Sequence, residues 1–425
     1  MIKSNIFVEN KTNEPTKLLD VRNLSVYFKN KLGLIRAVRD ISFSINEGEI
    51  VGLVGESGSG KSVTLKSLVG FNEFSITESK KMQFENIDLS KLHKNDFNFI
   101  RGTQIGYIPQ DPLMSLNPTQ KIKHQIFEAY LVSQKRKYQW EVFLLKNKHK
   151  EIIKDIDRKN VRYASEKGLF KKEVKKLTDA YKNRIRREEV HRQSKEILEY
   201  IGINEVEKKW NLYPHEFSGG MRQRIVIAIA IIARPKLIIA DEPTTALDVT
   251  VQAKVIDLIK KMSKEFNVAI IFISHNIGLV ANLCDYIYVM YAGKIVEQAK
   301  TWELFSNPRH PYTWALISSI PDAHTNSKLT LIPGSPPNMI SPIKGDAFAP
   351  RNKYAIKLDF EKQPPMFKIS ETHKASTWLL HPQSPNISVP SEVVKKINSA
   401  IGAISNKKKE DENGKKENTK NRKSK

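Results

Sequence analysis

The chain has 425 residues, of which 70 are lysine or arginine and 46 are aspartate or glutamate, so its formal net charge is +24. With 40% apolar and 27% charged residues, the composition excludes wholesale disorder, a collagen-like chain and a coiled coil, and it predicts a globular protein of two or three domains. The single cysteine, Cys284, excludes an internal disulfide and cannot by itself build a cysteine-ligated metal site, which favours a reducing, cytoplasmic compartment.

The N-terminal segment and the apolar runs do not have the pattern of a targeting or membrane-spanning sequence. The first 17 residues lack the apolar stretch and small-residue cleavage site of a secretory signal. The longest apolar run, 225–233, is far shorter than the roughly 20 residues of a membrane helix. We therefore expect a chain that is neither exported nor embedded in a bilayer.

A short apolar run at 51–54 predicts a buried strand, and a glycine-rich loop and a helical segment follow it directly. The residues of this P-loop that would surround a bound phosphate chain are Gly55, Glu56, Ser57, Gly58, Ser59, Gly60, Lys61, Ser62 and Val63. Glycines let backbone N–H groups turn inward around phosphate oxygens, and the helix adds its positive N-terminal end. Lys61 would contact the β and γ phosphates of ATP, and Ser62 would ligate Mg²⁺.

A second apolar strand, predicted at 236–240, ends in two acidic residues. Asp241 is placed to hold Mg²⁺ beside the P-loop, and Glu242 is placed to polarise the attacking water as general base. Together with the P-loop, this pair predicts an ATPase that works by positioning and charge neutralisation more than by covalent chemistry.

The segment 217–224, Phe-Ser-Gly-Gly-Met-Arg-Gln-Arg, lies between these two blocks and opens a long helical pattern; here the chain resembles the ATP-binding subunits of ABC transporters. The resemblance implies an α/β fold: a P-loop NTPase of the ABC ATPase type with a mostly parallel core sheet, an antiparallel β portion near 18–50 and an inserted helical subdomain. It also implies a head-to-tail dimer, in which ATP lies between the P-loop of one subunit and the signature helix of the other. The signature residues are Ser218, Gly219, Gly220 and Gln223.

The same resemblance implies roles for four further residues. Gln110 follows a predicted strand and matches the Q-loop residue that touches Mg²⁺ or the lytic water. His275 ends another predicted strand and matches the switch histidine that contacts the γ phosphate, and Asp248 matches the D-loop that crosses the dimer interface. Phe28 lies where the family stacks an aromatic ring on adenine, although the adjacent Tyr27 has equal chemistry.

Two longer stretches narrow the resemblance to the D-type ATPases of oligopeptide and dipeptide importers. They are 55–63, Gly-Glu-Ser-Gly-Ser-Gly-Lys-Ser-Val, and 241–253, Asp-Glu-Pro-Thr-Thr-Ala-Leu-Asp-Val-Thr-Val-Gln-Ala. The C-terminal region also matches the extension of this subgroup, with Ile-Pro-Gly-Ser-Pro-Pro at 332–337. Its richness in proline predicts an irregular, loop-built appendage.

These patterns divide the chain into four parts. We expect an N-terminal tail at 1–17, a nucleotide-binding domain at 18–305, the extension at 306–385 and a basic, disordered tail at 386–425. The helical subdomain would occupy about 111–234 of the nucleotide-binding domain.

The resemblance also implies the partners and the location of the protein. It implies a second ATPase subunit of the F type, two transmembrane permease subunits and an extracellular substrate-binding lipoprotein, with this chain peripheral on the cytoplasmic face of the membrane. Oligopeptides are the favoured cargo, and dipeptides, nickel or glutathione remain alternatives because other subunits largely choose the substrate. The required ligands are ATP and Mg²⁺.

The extension departs from its relatives at four positions. Many members carry four cysteines there that hold an iron–sulfur cluster, and the matching residues here are Asp346, Asn352, Asp359 and Thr377. Because such clusters depend on thiolate ligands, we predict no cluster and expect packing to maintain the shape of the extension. A metal site built on the two aspartates is the less favoured interpretation, since nearby acidic pairs are usually solvated.

Half of the net charge is concentrated in an insertion at about 134–195, which has 21 basic and 9 acidic residues. Recurring apolar residues, including Trp140, Phe143 and Leu144, favour a solvated helical insertion. Its place in the helical subdomain leaves contact with anionic lipid as the second interpretation. A high pI alone does not imply nucleic acid, and we predict no nucleic-acid partner.

Two other classes of protein compete with a transporter ATPase. A soluble ABC protein of translation or DNA repair is disfavoured because this chain has a single P-loop and signature, and its insertion is too short for the coiled coils of repair ATPases. A nucleotide-binding regulator without turnover is disfavoured by the intact Lys61, Asp241, Glu242 and His275.

Overall fold

The computed structural model describes residues 17–154, 161–245, 247–320, 332–385 and 387–398. The expectations for the N-terminal tail and for the C-terminal tail beyond residue 398 therefore lie outside the described residues. The strands are, in chain order, β1 (Leu19–Asn30), β2 (Gly33–Ile45), β3 (Ile50–Val54), β4 (Ser75–Glu78), β5 (Lys81–Phe84), β6 (Ile87–Asp88), β7 (Ile105–Ile108), β8 (Leu237–Asp241), β9 (Ala269–Ser274), β10 (Tyr286–Tyr291), β11 (Lys294–Lys300), β12 (Phe367–Lys368) and β13 (Lys374–Ala375). The α-helices are α1 (Lys61–Leu68), α2 (Pro112–Ser115), α3 (Ile122–Ile152), α4 (Val161–Arg184), α5 (Arg187–Tyr200), α6 (Val206–Lys209), α7 (Gly219–Ile231), α8 (Val249–Phe266), α9 (Ile277–Leu283), α10 (Thr301–Ser306), α11 (Pro311–Ser318) and α12 (Lys357–Glu361).

The first sheet is antiparallel and has the order β2-β1-β5-β6, with β4 also paired to β1. Strand β1, which pairs with three other strands of this sheet, carries a bulge where Asn23 adopts a φ of 51°, and its register with β2 shifts between Val21 and Leu24. The shift lets both of these apolar residues face the same core, where they are fully buried. This sheet confirms the predicted antiparallel portion and extends it beyond residue 50.

The second sheet has the order β12-β13-β11-β10-β3-β9-β8-β7. Its five strands from β10 to β7 are parallel, and β11, β12 and β13 are antiparallel additions at one edge. The central strands are buried along their whole length, as the near-continuous apolar runs of β3, β8 and β9 require. Because β3, β8 and β9 are parallel, the loops that follow them lie at the same edge of the sheet. Ligands of such sheets bind at this edge, beyond the carboxyl ends of the strands.

The basic insertion is a long helical hairpin within the subdomain formed by α2 to α7. Rings stack between α3 and α4, Tyr138 on Tyr181 at 4.8 Å and His149 on Phe170 at 4.8 Å, so the two helices run antiparallel. At its base Trp140 is buried and packs on Phe99, next to the first sheet. The predicted helical insertion is therefore present, but its apolar residues are not uniformly buried.

Among the described residues, no helix combines the length and the apolar character needed to traverse a bilayer.

The extension differs from the loop-built appendage expected from its prolines. It contains α11, which is buried over most of its length, and it adds β13 to the edge of the main sheet through β11. Residues 391–398, which lie in the segment expected to be a disordered tail, are helical. Val393 and Ile397, one helical turn apart, are buried in the larger core and anchor this segment.

Candidate functional site

The P-loop joins β3 to α1 and takes its shape from three glycines with positive φ. Gly55, Gly58 and Gly60 have φ values of 156°, 77° and 99°, which side chains with a Cβ rarely adopt. A Cβ on Gly55 would lie 2.1 Å from the carbonyl oxygen of Met290, so the loop packs directly on the end of β10. The positive φ values wrap the loop over the start of α1, where the first N–H groups of the helix have no intrahelical acceptor.

Lys61 is the first residue of α1, and its ammonium lies inside the loop. Its Nζ donates to the carbonyl oxygens of Gly55 and Glu56, each at 2.8 Å. Burial lowers the pKa of Lys61, and the nearby carboxylates of Glu242 and Asp241 partly oppose that shift. A buried cation whose charge is only partly compensated is a favourable partner for a phosphate chain.

Asp241 ends β8 and is held by two hydroxyl groups. Ser62 donates to its Oδ1 at 2.7 Å, and Tyr107, on the adjacent β7, donates to its Oδ2 at 2.8 Å. Burial and the adjoining Asp241 carboxylate raise the pKa of Tyr107, so the phenol stays protonated and continues to donate. The predicted pair of magnesium ligands, Ser62 and Asp241, is thus adjacent, and hydroxyl and carboxylate oxygens are ligands that Mg²⁺ prefers. Sequence reasoning missed Tyr107, although it lies three residues before the Q-loop glutamine.

Glu242 is the meeting point of three other polar side chains. Its Oε2 lies 3.0 Å from the hydroxyl of Thr245, 3.2 Å from Nδ1 of His275 and 3.4 Å from Nε2 of Gln110. The residue has a φ of 47°, a strained conformation for glutamate that is typical of functional sites. The loops after β7, β8 and β9 therefore converge on one carboxylate. Glu242, His275 and Gln110 were predicted as catalytic, and Thr245 was not.

A cavity of about 840 Å³ joins these groups. Its walls include P-loop residues together with Gln110, Glu242 and His275. That volume falls within the range of small-ligand and cofactor sites. The polar groups are those that a magnesium–triphosphate complex needs: a glycine-rich loop, a lysine, and a hydroxyl–carboxylate pair. The residues present therefore fit ATP and Mg²⁺.

The cavity walls also include three residues of the extension, Leu316, Ser319 and Ile332. Sequence reasoning treated the extension as a separate appendage and assigned none of these residues to the site. The tertiary fold brings them to the same cavity as the P-loop residues.

The signature residues, at the start of α7, are not part of the wall of this cavity. Ser218 caps α7 by accepting from the N–H of Met221 at 3.3 Å, and both Ser218 and Gly219 are exposed. Gly220 and Gln223 are buried beneath them. An exposed helix start with an adjoining glycine is open to a second molecule, as the predicted composite site requires.

Asp248 and Phe28 also lie outside the cavity wall, as do Gly55, Ser59 and Asp241 directly behind it. Asp248 is exposed and caps α8, where its Oδ1 accepts from the N–H of Val251 at 2.9 Å. Phe28 is half-buried on β1 and packs against the smaller core, whereas the nearby wall of the cavity is formed by Ala37. The adenine-stacking role of Phe28 and the interface role of Asp248 stay predictions.

The four extension positions that would carry cysteines all hold polar side chains that cap backbone turns. Asp346, Asn352 and Thr377 each accept from the N–H two residues ahead, and Asp359 accepts from the N–H three residues behind, at 2.7 to 3.3 Å. All four are buried. Among the residues that the structure describes, no group of three or more histidine, cysteine, aspartate or glutamate side chains is arranged to hold a metal. Local hydrogen bonds thus contribute to the shape of the extension alongside packing.

Comparison with known proteins gives two family matches. The model of the ABC transporter family matches residues 38–245, and that of the oligopeptide/dipeptide transporter C-terminal region matches residues 296–357.

Individual relatives match over nearly the whole chain. The oligopeptide transport ATP-binding protein OppD of Mycoplasma genitalium is 52% identical over 93% of this chain and 96% of its own length. The protein of the same name from Bacillus subtilis is 43% identical over 90% of this chain and 94% of its own length. Among solved structures, cbiO1 from Clostridium perfringens, part of the ABC transporter complex cbiONQ, is 21% identical with a TM-score of 0.49, over 69% of this chain and 92% of that one.

Proposed function

The chain belongs to the ATP-binding proteins of oligopeptide and dipeptide ABC transporters, and from this membership we propose that it hydrolyses ATP to drive the import of oligopeptides. One observation carries the ATPase part of the proposal: the P-loop, Gln110, Glu242 and His275 line one cavity. The names of its relatives support the substrate class.

Each polar group of the cavity has a role in this reaction. The P-loop and Lys61 would hold the phosphate chain of ATP, and Ser62, Asp241 and Gln110 would hold Mg²⁺, which would neutralise charge on the phosphate oxygens. Glu242 orients the attacking water and accepts its proton. The strained backbone of Glu242 and its contacts with Thr245 keep the carboxylate in place.

The complete site needs a second subunit. Ser218, Gly219 and Asp248 are exposed and lie outside the cavity wall, which supports a head-to-tail dimer in which they complete the partner's site. The partner is an F-type homologue, and the pair docks on two permease subunits at the cytoplasmic face of the membrane. A substrate-binding lipoprotein on the other side delivers the peptide.

Reconstitution of the transporter in lipid vesicles tests this proposal. Wild-type complexes should take up a labelled oligopeptide only with ATP and Mg²⁺, and Glu242→Gln should retain ATP while turnover falls by about 10² to 10⁴. Glu73, an exposed residue just before β4, provides the control, and Glu73→Gln should behave as wild type. Wild-type turnover in Glu242→Gln would remove Glu242 from the role of base, and absence of nucleotide binding by the wild-type complex would overturn the proposal.

The proposal includes contact between the basic hairpin and anionic lipid. The exposed lysines of α4, namely Lys171, Lys172, Lys175 and Lys176, are the residues that would carry it. Replacing these four by glutamine is a cleaner test than deleting the hairpin, because Trp140 within it is part of the core. Unchanged binding of the variant complex to vesicles containing anionic lipid would discard the lipid contact.

A further inference from the structure

A glutamate lies within the phosphate-binding loop, where a negative charge opposes the binding of a polyanion. Glu56 directly follows Gly55 and lines the nucleotide cavity. Burial lowers the pKa of Lys61, and the Glu56 carboxylate is close enough to oppose part of that shift, as Glu242 and Asp241 do. The same proximity would make an unpaired Glu56 repel the phosphates that Lys61 attracts. A loop of this composition therefore needs a counter-charge.

Arg351, from the C-terminal extension, supplies that charge. Its Nη1 lies 2.6 Å from Oε2 of Glu56 and its Nη2 lies 2.9 Å from Oε1. This bidentate ion pair fixes the carboxylate in one orientation. The arginine is 8% exposed, and the hydrogen bonds to Glu56 raise the pKa of its guanidinium above the usual value.

The remaining donors of Arg351 are also engaged. Nε donates to the carbonyl of Pro333, Nη1 to the hydroxyl of Tyr291 and Nη2 to the carbonyl of Ile332, at 2.7, 3.1 and 3.3 Å. All five N–H groups of the guanidinium thus have an acceptor, which only a planar, forked cation can achieve here. A lysine would keep the charge but lose this geometry.

The extension also holds the main chain of the same loop residue. The N–H of Glu56 donates to the hydroxyl of Tyr312 at 2.7 Å, and Tyr312 is fully buried in the first turn of α11. Its ring packs against Tyr291 and Phe348, with centroids 4.6 and 5.3 Å apart. Side chain and backbone of Glu56 are therefore both held by rigid, buried groups of the extension and its neighbouring strand.

We infer that Arg351 is a positioning residue for nucleotide binding: it neutralises Glu56 and holds the P-loop in its phosphate-binding shape, so that the C-terminal extension is an integral part of the ATP site. This inference rests on the proposed ATPase function. It differs from a purely structural contact because the charge of Glu56 must be cancelled whenever a phosphate chain is bound. The loss of binding affinity on replacing Arg351 should therefore increase with the negative charge of the ligand.

The test measures equilibrium binding of ATP, ADP and adenosine to the full chain in complex with its partner subunit, without turnover. Arg351→Gln should weaken ATP binding about tenfold, the order expected for one uncompensated charge near the site, ADP binding less, and adenosine binding hardly at all. Added salt should reduce the loss by screening. Introducing Glu56→Gln into the same chain should restore most of the ATP affinity, because the repulsive charge is then gone.

Two further variants keep the inference falsifiable. Arg309→Gln, at the start of the extension, is the matched control and should bind ATP as wild type. Arg351→Lys, which retains the charge, should lose less ATP affinity than Arg351→Gln, and it carries the test if the glutamine variant does not fold. The inference would be overturned if Arg351→Gln lost equal affinity for ATP, ADP and adenosine, or if Glu56→Gln did not restore ATP affinity. It would also be overturned if the lysine and glutamine variants lost ATP affinity equally. Failure of the wild-type protein to bind ATP would instead refute the proposed function.

Discussion

Glu297, a carboxylate on β11, is one of several groups that attach the extension to the nucleotide-binding domain. It is fully buried and accepts three hydrogen bonds: from the N–H of Arg309 at 2.7 Å, from the N–H of His310 at 3.0 Å and from Nε2 of His373 at 2.8 Å. The first two donors begin the extension, and the third lies beside β13. Glu297 therefore joins both ends of the extension to the main sheet.

Glu297→Ala would leave all three donors without their acceptor. Each buried donor left unpaired costs about 1 to 3 kcal/mol, so three set a range of about 3 to 9 kcal/mol. Water entering the cavity left by the side chain would satisfy part of this requirement, and we expect a loss of about 3 to 5 kcal/mol in the free energy of unfolding. At about 2 to 4 °C for each kcal/mol, the unfolding midpoint should fall by roughly 6 to 20 °C.

Thermal unfolding and limited proteolysis measure this effect. Glu297→Gln is the matched control, since its amide keeps one acceptor oxygen and should cost about 1 to 3 kcal/mol. Cleavage of the alanine variant should increase within the extension before the rest of the domain is cut. If alanine and glutamine variants unfold at the temperature of the wild type, the three hydrogen bonds do not hold the extension and this reasoning is wrong.

Three further predictions concern the site, the signature helix and the extension. Tyr107→Phe removes a hydrogen bond to the predicted magnesium ligand on β8, and titration of ATPase activity should show an apparent magnesium affinity about 10- to 100-fold weaker. Gly220→Ala would place a Cβ 2.3 Å from Val251 and should lower stability by about 1 to 3 kcal/mol in thermal unfolding, whereas Gly219→Ala, with open space around it, should not. Burial raises the pKa of Asp346 to about 6, so the folded state binds the proton more tightly than the unfolded chain and stability falls as the pH rises from about 4 to 6; denaturant unfolding of Asp346→Asn should lack this fall of up to about 3 kcal/mol.

Each of these predictions has an outcome that contradicts it. An unchanged magnesium titration would show that the Tyr107 hydroxyl does not orient its neighbour. Equal unfolding midpoints for the Gly220 and Gly219 variants would mean that α7 and α8 adjust without cost. A parallel pH dependence for wild type and Asp346→Asn would place the titrating group elsewhere.

The phosphate-binding loop could be predicted from residues 55–62 alone, because its pattern is local. Three glycines, Lys61 and Ser62 act within one turn between a strand and a helix, and their spacing alone predicts the loop and the helix start that the structure contains. The apolar runs likewise predicted β3, β8 and β9, since a strand buried on both faces needs a continuous apolar stretch. The family resemblance then supplied the order of the remaining motifs.

Contacts between distant parts of the chain could not be predicted in this way, because they depend on long-range packing. Arg351 and Glu56 are 295 positions apart, and no periodicity relates them. The same holds for the contact of Tyr107 with Asp241 and for the extension residues in the wall of the ATP cavity. The prolines of the extension suggested an irregular appendage, but Tyr312, Arg351 and His373 are buried and bonded to the main domain. Turn residues describe the local path of the chain, whereas burial and ion pairing depend on the groups that long-range packing brings within a few ångströms.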